Sequence, residues 1–222
     1  MKYRKIIIDV CMTLLLPVLM AYSLIGETFH EVAGSLMFVL FILHHWMNRQ
    51  WFKSLFRGRY TLERLFRTLL NVLLTIIMML LPLSGIAMSK HLYTSLPIKA
   101  HTGTARMLHL SLAYWGLVLM SLHAGTHLDM MQAALKKKKK QPSKPAQGVL
   151  LTGVAGIGVY GCYALVKRQI PSYLFLQSLF VFFDYGEQLW FFFLDYLAVM
   201  LLFAELGYLI AKVLRVLSQK SS

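Results

Sequence analysis

Charged residues are scarce in this sequence. Only 14% of its 222 residues are Asp, Glu, Lys or Arg, whereas 58% are hydrophobic. Soluble domains carry about 25% charged residues, and the mean hydropathy of this chain is +0.60. The composition therefore excludes an ordinary soluble domain and predicts an integral membrane protein.

Acidic residues are scarcer still: the sequence has nine Asp and Glu residues against 23 Lys and Arg residues, which gives a net charge of +14. In a soluble chain this excess would suggest a nucleic-acid partner. Here the basic residues lie between apolar runs, as cytoplasmic anchors of membrane helices do. We expect a lipid bilayer, and no nucleic acid, as the partner of these charges.

Cysteine is nearly absent, with two residues, Cys11 and Cys162, each inside an apolar run. There they act as small apolar side chains rather than as disulfide partners or ligands. No C-x-x-C or C-x-x-C-H motif occurs, which excludes covalent attachment of a haem by the usual thioether motif. No nucleotide-binding domain is predicted, so electrons from NAD(P)H would need a separate donor.

Long apolar runs dominate what is present. Six of them approach the ~20 residues that cross a ~30 Å hydrocarbon core. The predicted fold class is an all-α membrane helical bundle, whose six transmembrane helices cover about residues 6–26, 29–48, 66–88, 105–128, 148–166 and 188–211. The N-terminal run is long enough to span and lacks a convincing cleavage site, so we interpret it as a retained span.

Basic residues in the flanks of these runs set an orientation. Eighteen of the 23 Lys and Arg residues flank the ends on one side of the membrane, and five flank the other. The positive-inside rule then predicts that both termini are cytoplasmic. With six spans, the second and fourth spans run parallel, both entering from the outside.

Two of the predicted spans carry histidines with the same spacing. His30 and His44 are 14 residues apart in the second span, and His109 and His123 are 14 apart in the fourth. On a helix, 14 residues turn by about 40° overall and rise ~21 Å, so each pair lies on one face near opposite membrane surfaces. Because the two spans are parallel, His30 pairs with His109 and His44 with His123. This predicts two stacked b-type haems, each ligated by one imidazole from each helix.

Small residues accompany the predicted ligands. Gly34 follows His30 by about one turn, and Gly116 lies on the same face as His109 and His123. A porphyrin edge needs close approach to a helix backbone, so Gly34 and Gly116 are candidate cofactor-binding positions. Glycines also serve plain helix contacts in membranes.

The inner pair has neighbours that leave alternatives open. His45 adjoins His44, and His127 lies one turn beyond His123. The shared 14-residue spacing favours His44 and His123 as the axial ligands. His45 and His127 would then contact haem propionates, hydrogen-bond a ligand or contribute to a quinone site. His91 and His101 fall in the outer loop and are expected to be surface residues.

Several basic residues are candidate partners of haem propionates. Arg106 precedes His109 by nearly one turn, with Lys99 nearby, and Arg64 and Arg67 lie at the inner end of the third span. Arginine pairs well with carboxylates in such sites. Each of these residues is at least as well explained as an interfacial anchor.

Three carboxylates fall within apolar runs: Asp9, Asp195 and Glu205. Intramembrane carboxylates are functional candidates by default, and Asp195 and Glu205 are candidates to take protons from a quinol. The alternative is a buried acid paired with Lys212, a serine or a backbone group. The Ser84-Gly85 pair after Pro82 is interpreted as a kink in the third span that serves packing.

The remaining segments are connectors. Residues 169–188, QIPSYLFLQSLFVFFDYGEQ, are aromatic and too short in their apolar part to span, which predicts a short outer interfacial or re-entrant helix. The KKKKKQPSKPAQ stretch predicts a basic cytoplasmic linker. The predicted organisation is a four-helix haem-binding bundle over residues 1–131, a linker over 132–147, and two further transmembrane helices over 148–222.

Two stretches resemble a known family. HEVAGSLMFVLFILHHWMNRQWF, with its H-E-x-x-G opening and H-x-x-x-N-x-x-W close, and HLSLAYWGLVLMSLHAGTH are similar to the flavinylation-associated cytochromes. The likeness begins at Ile8 and Asp9 and continues to about residue 131, through GRYTLERLFRTLLN and LPLSGIAMS. Residues matching the family's histidine positions are His30, His44, His109, His123 and His127.

The resemblance implies a b-type haem protein of the bacterial inner (cytoplasmic) membrane. It implies electron transfer between a quinol or cytoplasmic donor and a flavin-carrying protein or domain outside, as one component of an oxidoreductase system rather than a stand-alone enzyme. The main alternative is a haem-free transition-metal transporter or sensor that uses the histidines as ligands. A transmembrane reductase of ferric iron and a haem-free assembly protein are further alternatives.

Overall fold

The chain is described by a computed structural model that covers residues 2–96, 102–129 and 144–220. Within these ranges the regular structure is entirely α-helical, without a strand, which confirms the predicted all-α class. The helices are α1 (Lys2–Met20), α2 (Tyr22–Ile25), α3 (Glu27–Met47), α4 (Gln50–Ser54), α5 (Leu62–Met88), α6 (Thr102–Thr126), α7 (Lys144–Lys167), α8 (Ile170–Leu174) and α9 (Leu189–Lys220).

Three helices in the described part of the chain are long and apolar enough to cross a membrane. They cover Leu62–Met88, Gly103–Thr126 and Leu189–Gln219. The other three predicted spans coincide with α1, α3 and α7. Charges near the start of α1 and the glutamates and histidines of α3 reduce the apolar character of these two helices. The number of six spans and their orientation stay predictions.

The outer face of α3 nevertheless has the character of a lipid-facing surface. An exposed apolar stripe runs along it at helical spacing and consists of Val32, Leu36, Val39, Leu43 and Trp46. A soluble protein rarely leaves such a continuous apolar surface in water. Such a stripe is expected of a helix that packs against protein on one side and faces hydrocarbon on the other.

The chain forms two compact units, each discontinuous in sequence. The first comprises Met1–Arg59, Leu74–Gly116 and Pro171–Phe193, and the second comprises Tyr60–Leu73, Leu117–Ile170 and Leu194–Ser222. The organisation predicted from the sequence, with segments over 1–131, 132–147 and 148–222, stays a prediction. The basic linker over 132–147 lies largely outside the described residues.

In the first unit, α1 and α2 pack against α3. The packed face of α3 carries Ala33, Met37 and Phe41, all nearly inaccessible, and α1 contributes Leu16 and Met20. Burial of these side chains follows the i, i+4, i+8 repeat that places them on one face of α3. His30 and His44, three residues before Ala33 and three after Phe41, lie at the two ends of that face.

In the second unit, α6 and α9 cross at close range through a reciprocal pair of glycines. A Cβ atom added at Gly125 would collide with the backbone carbonyl of Ala204, and one added at Gly207 would collide with that of Leu122. Only glycine permits such backbone contact, which is a common way to pack helices in membranes. This crossing fixes α9 to the half of α6 that carries His123.

Helix α7 also packs on α9 through glycine. A Cβ at Gly161 would lie 2.7 Å from the carbonyl oxygen of Ala198, and one at Gly158 would lie 3.1 Å from a carboxylate oxygen of Glu205. These glycines belong to G-I-G-V-Y-G, residues 156–161, which matches the letters G-x-G-x-x-G. The run lies inside a helix rather than between a strand and a helix, so it is a packing surface and not a dinucleotide fingerprint.

Replacing Gly207 tests this crossing. Gly207→Ala should lower the stability of the detergent-solubilised protein by about 2 kcal/mol, because α6 and α9 must separate, as in other overpacked cores. Thermal unfolding followed by helix circular dichroism measures the change.

The matched control is Gly153→Ala in α7, where an added Cβ meets nothing within 4 Å. Alanine is a better helix former than glycine, so this variant should be neutral or slightly stabilised. Equal melting temperatures for the two variants would contradict the close crossing.

The predicted interfacial helix over residues 169–188 is mostly not helical. The helix ends at Leu174, and the backbone from Phe175 to Gln188 forms turns and irregular structure. Side chains that bond to nearby backbone groups compete with helix formation here: Ser178 Oγ donates to Phe180 O, and Asp184 Oδ1 accepts from Gly186 N. The aromatic composition predicted an interfacial position but not these local hydrogen bonds.

Candidate functional site

The first unit brings together two of the predicted ligands, His30 from α3 and His109 from α6. Their ring centres are 6.0 Å apart and their planes are inclined by 72°. A metal–imidazole bond is about 2 Å long, so two imidazoles on opposite sides of one iron have ring centres about 6 Å apart. The spacing of these rings therefore fits bis-histidine ligation of a haem.

The orientation of His30 is set by a backbone carbonyl. His30 Nδ1 lies 3.1 Å from the carbonyl oxygen of Leu19. Leu19 is in the last turn of α1, where carbonyl groups lack partners within the helix. Because a carbonyl only accepts, Nδ1 must carry the proton, and the lone pair of the neutral imidazole is then on Nε2.

His109 is held in the same way by α5. Its Nδ1 lies 3.2 Å from the carbonyl oxygen of Leu81 and 3.1 Å from Ser84 Oγ. The hydroxyl proton of Ser84 is donated to Leu81 O at 2.7 Å. His109 Nδ1 is therefore the donor to both oxygens, and its Nε2 also carries the lone pair. Metal-bound histidines are held by such hydrogen bonds from the other ring nitrogen.

Gly85 makes room for the ring of His109. A Cβ at position 85 would lie 3.2 Å from His109 Cε1 and 3.5 Å from Nδ1. The sequence analysis interpreted Ser84 and Gly85 as packing residues beside Pro82. Both contact the imidazole of a predicted ligand, which sequence reasoning missed because the contact joins two helices.

The predicted small residues Gly34 and Gly116 face apolar side chains. A Cβ at Gly34 would lie 3.9 Å from Leu19, and one at Gly116 would lie 3.6 Å from Ile77. Both distances are ordinary contacts. The role of these glycines beside a haem stays a prediction.

At the other end of α3, His45 has protein partners on both ring nitrogens. Its Nδ1 donates to Phe41 O at 3.1 Å, and Nε2 accepts from the hydroxyl of Thr75 at 3.3 Å. Its ring also packs on Phe41, with 4.2 Å between centres. These contacts are those of a satisfied polar side chain.

The neighbouring His44 has a carboxylate partner. Its Nδ1 donates to Asp9 Oδ1 at 2.7 Å. Asn48 Nδ2 stands 3.5 Å from Nε2, which is long for a hydrogen bond. A carboxylate on the distal nitrogen is the other common partner of a metal-bound histidine. Asp9, which the sequence analysis singled out as an intramembrane acid, has this contact as its structural role.

His123 and His127 lie in the second unit, where their ring centres are 4.8 Å apart. His44 belongs to the first unit. The predicted pairing of His44 with His123 stays a prediction, as does the role of His127.

The basic residues predicted beside the outer propionates are only partly described. Arg106 is exposed, and its guanidinium carbon lies 5.6 Å from the ring centre of Phe180. Lys99 and His101 lie outside the described residues. The contact of Arg106 with a propionate stays a prediction.

Near the start of α5 in the second unit, acidic partners accompany the arginines. Arg67 pairs with Glu63 at 2.7 Å, and Arg215 pairs with Glu63 at 2.8 Å and with Asp129 at 2.7 Å. These ion pairs connect α5, the end of α6 and α9. They give Arg67 a structural role that the sequence analysis did not foresee.

Asp195 is the most deeply buried acid of the second unit, with 0% of its surface exposed. It accepts hydrogen bonds from Tyr160 at 2.5 Å, Lys167 at 2.9 Å and Arg168 at 2.8 Å. The sequence suggested Lys212 as a possible partner and did not indicate Lys167 or Arg168. The contacts are those of a paired acid, which was the alternative interpretation, and a proton-accepting role for Asp195 stays a prediction.

No group of three or more His, Cys, Asp or Glu residues within the described ranges could hold a metal ion. A haem requires only two protein ligands, whereas zinc sites use at least three. Comparison with family models, with curated proteins and with solved structures gave no match for this chain.

Proposed function

We propose that this chain is a b-type cytochrome of a membrane, and that His30 and His109 are the axial ligands of its outer haem. The supporting observation is the pair of imidazoles 6.0 Å apart, each donating Nδ1–H to a backbone carbonyl. In each ring the nitrogen with the available lone pair is Nε2, which is the atom that ligates iron in this arrangement.

The haem would supply one-electron chemistry, since its iron changes between the ferrous and ferric states. The protein's part is to hold and tune it. His30 and His109 provide neutral ligands whose orientation is set by Leu19, Leu81 and Ser84, and apolar helices exclude water. Both ligands would then have a neutral hydrogen-bond acceptor, and not a carboxylate, on Nδ1.

The second haem of the proposal is based on sequence spacing alone, which selects His44 and His123. The contact of His44 with Asp9 leads to a prediction for the redox potential of this second haem. An anionic partner makes an imidazole more basic and stabilises the ferric state. A haem on His44 would then have a lower potential than the haem on His30, favouring electron flow from the inner side to the outer side.

Asp9→Asn tests this difference. The inner haem should become easier to reduce, with a midpoint potential about 60 mV more positive, which is a tenfold change in a one-electron equilibrium. Potentiometric titration followed by visible absorption measures both haems. The outer potential serves as the internal control and should not move, and an unchanged inner potential would contradict the role of Asp9.

The alternative of a haem-free transition-metal transporter or sensor has less support. Such a site converges three or four ligands within a few ångströms. Apart from His91, the described histidines lie in pairs, and no cluster of that size is found in the ranges that the structure covers. A ferric reductase remains compatible with a haem bundle, because the outer haem could pass its electron directly to a small acceptor.

The partners in this proposal follow from the resemblance to flavinylation-associated cytochromes. They are a quinol or a cytoplasmic donor at the inner side and a flavin-carrying protein or domain outside, with the chain in the bacterial inner membrane. Three helices apolar enough to cross a membrane support a membrane location.

A pyridine haemochrome assay on the detergent-purified protein, with reduced-minus-oxidised spectra, tests the proposal. We expect about two b-type haems per chain, both reducible by dithionite. Absence of haem after expression with ample haem supply would overturn it. Zinc, copper and iron analysis of the same sample would then test the transporter alternative.

A further inference from the structure

Glu31, the residue after His30, has an unusual set of hydrogen bonds. Its Oε2 accepts from Ser89 Oγ at 2.7 Å and from the backbone N–H of Leu92 at 2.8 Å. Its Oε1 accepts from the backbone N–H of Lys90 at 2.9 Å. One carboxylate thus binds three donors from a single four-residue segment.

That segment begins where α5 ends. The helix runs to Met88, and Ser89 to Leu92 form the first turn of the following loop. The turn is reinforced by Tyr93, whose N–H donates to Ser89 Oγ at 3.0 Å and whose hydroxyl contacts Ser35 Oγ of α3 at 2.7 Å. Glu31 and Ser35 therefore fasten the C-terminal end of α5 to α3.

The C-terminal part of α5 also holds the imidazole of His109, which comes from α6. Leu81, Ser84 and Gly85 lie four to eight residues before Ser89, and all three contact or orient this imidazole. Since a Cβ at Gly85 would already approach the ring to 3.2 Å, there is little free space between α5 and the imidazole of His109. A shift of α5 relative to α3 would therefore move His109 relative to His30.

We propose that Glu31 is a positioning residue for the outer haem: by fastening α5 to α3, it sets the separation of the two axial imidazoles. The inference rests on the proposed function, because it assigns Glu31 a role toward a haem held by His30 and His109. Glu31 acts through the loop and α5 and does not ligate iron itself.

A carboxylate is the group that this position requires. An ionised carboxylate only accepts hydrogen bonds, and all three of its partners here are donors. Glutamine would present an NH₂ group to at least one backbone N–H and lose that bond. Glutamate is also long enough to reach the loop from α3, which aspartate, shorter by one methylene, does less well.

Glu27, one turn earlier on α3, provides a matched control. It is half exposed and pairs with the side chain of Lys90 at 2.9 Å rather than with backbone groups. Glu27→Gln therefore removes the same charge from the same end of the helix. It removes one side-chain ion pair to Lys90 but leaves the hydrogen bonds of Glu31 to Ser89, Lys90 and Leu92 intact.

The experiment compares Glu31→Gln, Glu31→Asp and Glu27→Gln in the full-length, detergent-purified protein. The outer haem is first identified as the low-spin ferric electron paramagnetic resonance signal that His109→Ala abolishes. Its g values report the geometry of the two imidazoles, and the rate of haem transfer to apomyoglobin reports retention. A general loss of stability would not shift the g values of one haem alone.

In Glu31→Gln we expect the outer signal to shift or broaden and the outer haem to be lost about 10–100-fold faster, as for other supporting contacts of metal ligands. The inner signal should stay as in the wild type. In Glu31→Asp the outer signal and the rate of haem loss should lie between those of the wild type and Glu31→Gln. Glu27→Gln should match the wild type in both.

An unchanged outer signal and transfer rate in Glu31→Gln would overturn the positioning role. Equal loss of both haems, or a failure to fold, would assign Glu31 to general stability and overturn it as well. A wild-type protein without haem would overturn the proposed function itself, so the two failures are distinguishable.

Discussion

His109→Ala should reduce the haem content of the purified protein from about two per chain to about one. In the proposed site this imidazole would provide one of the two protein bonds to the outer iron, and Ser84 and Leu81 beside it offer no replacement ligand. The alanine variant also leaves a cavity beside Gly85, which water or a weak exogenous ligand can enter. Any outer haem that remains should change from low spin to high spin.

The pyridine haemochrome assay measures the content, and electron paramagnetic resonance of the ferric protein measures the spin state. His30→Ala should give the same phenotype, because its ring centre lies 6.0 Å from that of His109 and it is the second proposed ligand. His91→Ala is the matched control in the outer loop. His91 is exposed, and its nearest acidic partner, Glu27, is 3.9 Å away, so this variant should keep both haems.

His45→Ala separates the alternatives at the inner end of α3. With both of its ring nitrogens bonded to Phe41 and Thr75, His45 should not be needed for haem binding. Its removal should leave the haem content near that of the wild type. An empty inner site in this variant would show that His45, and not His44, is the ligand.

The second large effect is expected at Asp195. Asp195→Ala should destabilise the protein by about 3 kcal/mol, because removing one partner of a buried ion pair is strongly destabilising. Arg168, 12% exposed, would lose its carboxylate partner at 2.7 Å, and Tyr160 would lose its acceptor. The side chain of Lys167 is 35% exposed, so solvent screens its share and the lower end of the usual range applies.

Unfolding in increasing concentrations of sodium dodecyl sulfate, followed by circular dichroism, measures this loss. Glu205→Gln is the matched control: Glu205 is on the same helix, is partly buried and has no ion pair within the described ranges. Removing its charge should be neutral or slightly stabilising, because an unpaired carboxylate is costly in hydrocarbon. If Asp195→Ala unfolds together with the wild type, the triple contact contributes nothing to stability.

The positions of the helices were largely predictable, because apolar runs of about 20 residues have few alternatives. Residues 66–88 and 105–128 were predicted as spans, and Leu62–Met88 and Thr102–Thr126 are helical. The segment 169–188 was not predictable in the same way. Its backbone follows local bonds of Ser178 and Asp184, which composition does not reveal.

The sequence could predict the candidate ligands of the site, but not the hydrogen bonds that orient them. A 14-residue spacing fixes the relative direction of two side chains on one helix, which singled out His30 and His109 from the sequence. The bonds that orient them, from Leu19 and from Leu81 with Ser84, join separate helices. Periodicity within one helix carries no information on the rotation of its neighbour, so these partners could not be foreseen.

The sequence by itself determined that this is an apolar, all-helical chain with histidines at matched positions, because hydropathy and the helical period act locally. Only the tertiary structure decided which groups hold those histidines and which acids are paired. Glu31 and Asp195 illustrate this, since their partners lie about 60 and 30 residues away in the chain. Such contacts depend on the packing of whole helices, and side-chain volume and glycine placement settle that packing only when the helices meet.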